Sequence, residues 1–202
     1  MSRILHWATI GFVGAMLAGW AVLWVRSDFV GQAIHSGTSA QIGGPFSLVD
    51  HTGTPVTEAS WPGRWRLIFF GYTTCPDLCP TELQTIAAAL DLLGNDAAQV
   101  VPIFITVDPE RDTPALLAGY LKLFDDRLVG LTGTPRQIAA VAGAYRVYYA
   151  KVTPKDSTVY LMDHSSFLYL MGPDGTLRAL LRPGTGAPEL AQTIRSRLLA
   201  AR

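Results

Sequence analysis

Two cysteines in 202 residues leave no material for a disulfide framework, so the fold must rest on a hydrophobic core, which a chain of this length can bury. Charge is scarce and even, with 16 basic residues against 16 acidic ones. No stretch gathers Lys and Arg into a stripe that could track a phosphate backbone, which argues against nucleic acid as a partner. Internal repeats and low-complexity tracts are absent too. Past its first few dozen residues the chain suits one domain of ordinary size.

Charge is missing altogether from residues 7–25, WATIGFVGAMLAGWAVLWV. At about 1.5 Å per residue, a helix of that length covers roughly 28 Å of hydrocarbon. One transmembrane helix is the natural reading, with Trp7 at one interface and Trp20 and Trp24 near the other. Positive charge at the amino terminus and Arg3 precedes the span, while Arg26 beyond it is offset by Asp28. This balance puts residues 1–25 down as a cytoplasmic end and anchor, with the globular part outside. A cleaved secretory signal is the alternative, with Gly31, Gln32 and Ala33 as a small-x-small site. Signal cores usually cover about 7–15 residues, and this site lies well past the span, so the uncleaved anchor is preferred. Either way the domain is exported, and its cysteines must coexist with an oxidising compartment. Residues 26–41, polar, small and aperiodic, suit a flexible tether, leaving residues 42–202 as the folded domain.

After the tether, PFSLVDHTGTPV reads as two short strands around a turn made by Asp50, His51, Thr52 and Gly53. WRLIFFGY is a short apolar run of the kind that fills a strand buried on both faces. In TELQTIAAALDLL, Leu83, Ile86, Ala87, Leu90 and Leu93 recur at helical spacing. VVPIFITV and PALLAGYLKLF repeat the strand–helix unit, the latter opened by Asp112, Thr113 and Pro114 as cap and first turn. Two such units in succession imply parallel strands joined by crossover helices. A small strand over 128–131, a helix over 135–144 and a strand over 146–152 follow. SFLYLM and TLRALL then flank the turn Gly172-Pro173-Asp174-Gly175, and a helix over 188–199 closes the chain. A hairpin start, a βαβ middle and a ββα finish is the order of a thioredoxin-like α/β fold, with a central mixed sheet flanked by helices.

Both cysteines fall in GYTTCPDLCPTEL, where a buried strand hands over to a helix. Free backbone N–H groups and the dipole at a helix start favour negative charge, so a thiol there loses its proton below the usual value of about 8.5. Thiolates are what bind soft metals and attack disulfides. A spacing of four puts Cys75 and Cys79 on one helical face with Cβ atoms about 5–6 Å apart, beyond the roughly 3.5–4.5 Å a disulfide wants. The spacing favours ligation and leaves a strained, reducible disulfide available. For a third ligand, His6 enters the span, His35 lies in the tether and His51 in a turn. His164 remains, in the connection Met162-Asp163-His164-Ser165 that leads into a central strand. Two thiolates and an imidazole form a soft set that suits copper; zinc is the alternative, although structural zinc normally takes four protein ligands and no fourth is evident. Asp77 and Asp163 are candidates to orient the ligands, and Asp77 itself reads as a favourable charge at the helix N-terminus rather than as a ligand.

The strings FFGYTTCPDLCP, FITVDPERDTP and VYLMDHSSFLYLMGPDG, in this order, resemble the Sco family, also called SenC or PrrC. The likeness runs from about residue 43 to the end of the chain and includes the N-terminal anchor. It implies a copper-binding assembly protein for cytochrome c oxidase, holding one copper ion, as Cu+ or Cu2+, through Cys75, Cys79 and His164. It also implies cytochrome c oxidase subunit II and other copper chaperones as partners. The place implied is a single-pass inner membrane protein with its domain in the periplasm or the mitochondrial intermembrane space. The family's action on the dinuclear copper centre of subunit II is as copper donor, as thiol reductant, or both.

Plainer readings stand beside these. The cysteines would serve equally as a structural disulfide or as the redox pair, Cys75 and Cys79, of a general thiol–disulfide oxidoreductase. A peroxiredoxin-type peroxidase is weaker, because its reactive cysteine sits in another motif context. A lone loop histidine is more often merely hydrogen-bonded than ligating. In VDPERDTP, Asp108 and Asp112 read as strand end and helix cap, with Glu110 and Arg111 a solvated pair that a docking partner could use. Tyr148, Tyr149 and Tyr160 read as packing or rim aromatics.

Overall fold

The computed structural model of the protein describes residues 42–155 and 158–201, so the expected anchor and tether lie outside the described residues. Among the described residues no helix is long and apolar enough to cross a membrane. The run WRLIFFG forms β3 (Trp65–Gly71) and VVPIFIT forms β4 (Val100–Thr106), each buried along its whole length. With neither face meeting water, neither run alternates in polarity. The two pair in parallel from Trp65 opposite Val100 to Gly71 opposite Thr106. Parallel neighbours need a crossover, supplied by α1 (Leu78–Leu93); α2 (Pro114–Leu121) then brings β5 (Val129–Thr132) parallel to β4.

The N-terminal hairpin of β1 (Ser47–Asp50) and β2 (Pro55–Thr57) joins β5 antiparallel. Its turn is closed by the Asp50 carboxylate, which accepts from the Thr52 and Thr54 N–H groups at 2.8 and 3.0 Å. After α3 (Pro135–Ala144) come β6 (Tyr149–Val152), β7 (Leu161–His164), β8 (Leu168–Met171), β9 (Leu177–Leu181) and α4 (Ala187–Ala200). β8 runs antiparallel to β3, and the seven strands of the main sheet lie in the order β2-β1-β5-β4-β3-β8-β9. This is the mixed sheet with flanking helices expected from the element order, hairpin included.

Two departures matter for the site. The connection expected around His164 is strand: β7 pairs with β6 in a separate two-stranded ribbon, Tyr149 opposite His164. Nothing local in Leu161-Met162-Asp163-His164 announces this, because the ribbon exists only once β6 is alongside. The strand expected from 146 begins instead at Tyr149. Arg146 takes φ +58°, and the N–H groups of Arg146 and Val147 bond back to the carbonyls of Gly143 and Ala142 at 3.2 and 2.8 Å. That double return is a Schellman closure of α3, made here with arginine where glycine is usual.

The core fills both sides of β3 and β4. Phe70, Tyr145 and Tyr169 pack mutually, with ring centroids 5.5 to 5.8 Å apart. On the other side α1 buries Leu83, Ile86 and Leu90 and packs against α4. One carboxylate is caught in this seam: Glu82 is 1% exposed, with Oε1 accepting from the Gly184 N–H at 2.7 Å and Oε2 without a partner. Burial pushes its carboxyl up, against the pull of the Gly184 N–H.

A carboxyl whose value is raised in the fold binds its proton more tightly folded than unfolded. It therefore favours the fold at acid pH and opposes it as the pH rises from the free value of about 4.3 through the raised one. Glu82→Gln keeps an acceptor for Gly184 and removes the charge. The variant is expected to be more stable than the native chain at pH 7, with the gain fading below about pH 4, as read from denaturant unfolding at both values. A variant less stable at pH 7 would show that the buried charge is used.

Candidate metal centre

Gly71 ends β3 with no side chain. A Cβ there would lie 2.9 Å from Cys79 Sγ and 2.8 Å from the Phe104 ring, so glycine is what lets the sulfur nest against the strand end. Cys79 is in the first turn of α1 and fully buried. Cys75 precedes the helix in the connecting turn, half-buried, with its N–H 3.3 Å from the Tyr72 carbonyl. The expected placement of both cysteines on one helical face is thus replaced by a turn folded back over the helix start. The Cys79 N–H, one of the donors that a first helical turn leaves free, points at Cys75 Sγ from 3.5 Å.

His164 comes in from the ribbon. Its Nε2 lies 3.6 Å from Cys79 Sγ, and its Nδ1 lies 3.1 Å from the Ser165 carbonyl oxygen. The carbonyl contact at Nδ1 leaves Nε2 as the ring nitrogen that faces the sulfurs. Tyr72 and Phe69 hold the ring edge-on, at centroid distances of 5.8 and 6.4 Å. Asp163 and Asp77, the expected orienting carboxylates, do not take this part: a backbone carbonyl does, and Asp77 sits at the N-cap of α1 with no side-chain cap bond. The fixed orientation comes from main chain and ring contacts, which carry no residue-type signal.

The sulfurs are electrostatically unequal. The Cys79 thiol hydrogen-bonds to Cys75 and holds it well below the usual thiol range, helped by His164 and the N–H groups of Cys79 and Asp77, while burial opposes. The same bond, with burial and the facing Cys75 charge, pushes Cys79 well up. Cys75 is the standing thiolate and Cys79 the thiol that supports it.

Three donor atoms, the two sulfurs and an imidazole nitrogen, lie within 4.8 Å of one another. Bonds of about 2.3 Å to sulfur and 2.1 Å to nitrogen place such donors roughly 3.5–4 Å apart around a shared ion. The observed spacing fits after small adjustments, and the soft donors suit copper better than a hard cation. Beside Cys75 the surface opens into a shallow, largely apolar hollow of about 390 Å³, lined in part by Tyr72, Leu78, Val152 and Leu161. A larger cavity of about 530 Å³ lies at the other end of β3 and β4, beside Trp61 and Arg64, and holds no comparable donor set. Of the other histidines, His51 accepts from the Gly130 N–H at 3.1 Å, a structural bond, while His6 and His35 lie outside the described residues.

The VDPERD segment differs most from expectation. Asp112 does not cap α2; Thr113 does, accepting from the Leu116 N–H. Fully buried, Asp112 accepts from the Thr73 N–H at 3.1 Å and from the Thr73 and Thr106 hydroxyls at 2.6 Å each. It thereby ties down the turn that carries Cys75. Glu110 pairs with Lys151 rather than Arg111, whose guanidinium bonds Asp108 and lies 3.8 Å over the Tyr160 ring. Tyr160 is therefore more than a rim aromatic, whereas Tyr148 is exposed. Thr73, Lys151 and Tyr160 are remote in sequence from the segment, and only the motif strings that contain it marked it.

A family model described as SCO1/SenC matches residues 35–199. The chain is 51% identical over 140 residues to the protein SCO1 homolog 1, mitochondrial, of Arabidopsis thaliana, covering 69% of this chain and 42% of that one. It is 47% identical over 135 residues to the protein SenC of Rhodobacter capsulatus, covering 67% of this chain and 61% of the relative. In three dimensions it is similar to Bradyrhizobium japonicum ScoI with copper bound, with TM-score 0.71 and 48% identity, covering 77% of this chain and 98% of that one. The chain spans less than two thirds of the length of these two curated relatives.

The inequality of the sulfurs is open to direct measurement. Iodoacetamide on the metal-free, reduced protein should alkylate Cys75 first, with a rate that stays nearly flat from pH 6 to 9, roughly the range in which a free thiol would titrate. Cys79 should react only after Cys75 or after unfolding. Peptide mapping that finds Cys79 modified first, or a Cys75 rate that climbs throughout that range, would contradict the assignment.

Proposed function

The chain belongs to the SCO1/SenC family, and we propose that its domain, residues 42–202, carries one copper ion on Cys75, Cys79 and His164 for assembly of the dinuclear copper centre of cytochrome c oxidase subunit II. In this reading residues 1–25 anchor the chain and residues 26–41 tether the domain outside the cytoplasmic membrane. The compartment is the periplasm or its mitochondrial equivalent, in keeping with bacterial and mitochondrial relatives. The observation that carries the proposal is the convergence of three soft donors within 4.8 Å beside a surface hollow.

The half-exposed Cys75 gives way first when a partner thiolate approaches through the hollow: one copper–sulfur bond breaks as another forms, and no electron moves. Cys79, buried at the helix start, holds on until the partner supplies its second ligand. His164 adds a nitrogen that favours the oxidised ion, whereas copper(I) is content with two thiolates.

A second use of the same pair is favoured by the unlike sulfurs. Cys75 thiolate can attack a disulfide of the partner, releasing one partner thiolate; Cys79 gives its proton to that thiolate, attacks Cys75 Sγ of the mixed disulfide and releases the other. Two electrons pass from the Cys75–Cys79 dithiol to the partner's cysteines, which a dinuclear copper centre needs reduced before metal enters. Run catalytically on other proteins, this chemistry would make the chain a general thiol–disulfide oxidoreductase.

Copper titration of the native chain and of His164→Ala tests the carrier reading. The native protein should take one equivalent of either ion and show strong sulfur-to-copper(II) absorption in the visible. His164→Ala should lose copper(II) affinity by about tenfold or more while copper(I) affinity stays within about threefold. Equal losses for both ions would count against the mixed site. Catalytic turnover on a protein disulfide, undiminished in His164→Ala, would favour the oxidoreductase.

A further inference from the structure

The imidazole sits on a ribbon that stands outside the main sheet and packs on the core through Met162. β6 and β7 pair only with each other among the described strands, and an isolated pair of strands is marginal in water. Its position must be set from outside. β7 starts at Leu161, directly after Tyr160, and ends at His164. At the starting end, Arg111 Nη1 donates to the Tyr160 carbonyl at 3.0 Å while its guanidinium stacks 3.8 Å over the Tyr160 ring. The Tyr160 hydroxyl in turn donates to Asp108 Oδ1 at 3.0 Å. Asp108, which is 1% exposed, takes Arg111 Nε on its other oxygen.

The same guanidinium lies 5.8 Å from the Tyr72 ring, with which the His164 ring makes a T-shaped contact. Arg111 thus meets the ribbon at the start of β7 and, through Tyr72, at the imidazole itself. Its Nη2 is buried without a hydrogen-bond partner, which fits a planar cation held between aromatic faces. Lys151 also reaches the Tyr160 ring, with Nζ 4.8 Å from its centroid against 3.8 Å for Arg111, but it is about half exposed and paired with Glu110, and such surface contacts hold little.

We propose that Arg111, seated on Asp108 and stacked on Tyr160, is the positioning residue for His164. The copper that the imidazole would receive is the cargo of the function proposed above, and the inference rests on that reading. The same short segment then serves both halves of the ligand set, since Asp112 ties down the cysteine turn and Arg111 ties down the histidine ribbon.

The test pairs metal binding with a metal-free readout. In Arg111→Lys, which keeps the charge but loses the planar fork, copper(II) affinity should fall by about tenfold or more and copper(I) affinity by less than about threefold. Placed in a His164→Ala background, the substitution should add almost nothing. Amide hydrogen exchange of the metal-free protein should quicken across β6 and β7 while β4 keeps its protection. Tyr160→Phe, which loses only the bond to Asp108, should move the same readouts in the same direction by less, and provides the test if Arg111→Lys does not fold. Arg178→Gln, which breaks a remote exposed pair with Asp174, controls for charge.

Equal losses of copper(I) and copper(II), a full further loss in the His164→Ala background, or unchanged ribbon exchange would each overturn the proposal. Failure of the native chain to bind copper at all would overturn the carrier reading instead, and the exchange measurement would still report whether Arg111 places the ribbon.

Discussion

Everything about the site follows from how closely a buried sulfur can approach the end of a buried strand. β3 is covered on both faces and finishes at Gly71, where the missing side chain leaves room for Cys79 Sγ. The sulfur is thereby placed at the first turn of α1, among backbone donors that the helix cannot satisfy itself. One of those donors faces Cys75 Sγ, and the Cys79 thiol gives that sulfur a further hydrogen bond. A charge is stabilised on the outer sulfur at the expense of the inner one. The approach of His164 Nε2 to the inner sulfur completes the set, in which Cys79 is buried and Cys75 and His164 are partly exposed.

That asymmetry bears on transport more than on storage. A structural metal site is closed, with four protein ligands and no route to the ion. Here three donors meet beside an open hollow, and Cys75, partly exposed at its edge, is the sulfur held below the usual thiol range. In the proposed function such a site would offer Cys75 as a ligand without waiting for deprotonation, whereas Cys79 would give up its proton as the ion binds. The same inequality suits stepwise thiol–disulfide exchange, so carrier and reductant chemistry draw on one geometry.

The sequence showed most plainly what depends on periodicity and on single residues. The apolar runs of β3 and β4, the spacing of Leu83, Ile86 and Leu90 on α1, and the turn of Asp50 to Thr54 were legible because burial on two faces, helical period and side-chain turn bonds leave local marks. Cys75, Cys79 and His164 could be singled out by chemistry and by the motif strings that contain them. The placement of Cys75 ahead of the helix, and of His164 on a strand, was not legible, since both come from contacts with residues distant along the chain. Asp108 and Asp112 show the limit best. Read locally they were a strand end and a helix cap, and in the fold they are buried acceptors for Arg111, Tyr160, Thr73 and Thr106. A buried carboxylate needs such partners, but which partners it finds is decided by the crossing of elements.

In the proposed function two sulfurs and one imidazole nitrogen share a single ion. Copper K-edge X-ray absorption on the copper-loaded chain measures that directly. Two sulfur scatterers and one imidazole nitrogen are expected in the copper(II) form, with the imidazole contribution lost in His164→Ala and both sulfurs retained. A single sulfur per copper, or an imidazole signal that survives the loss of His164, would contradict it.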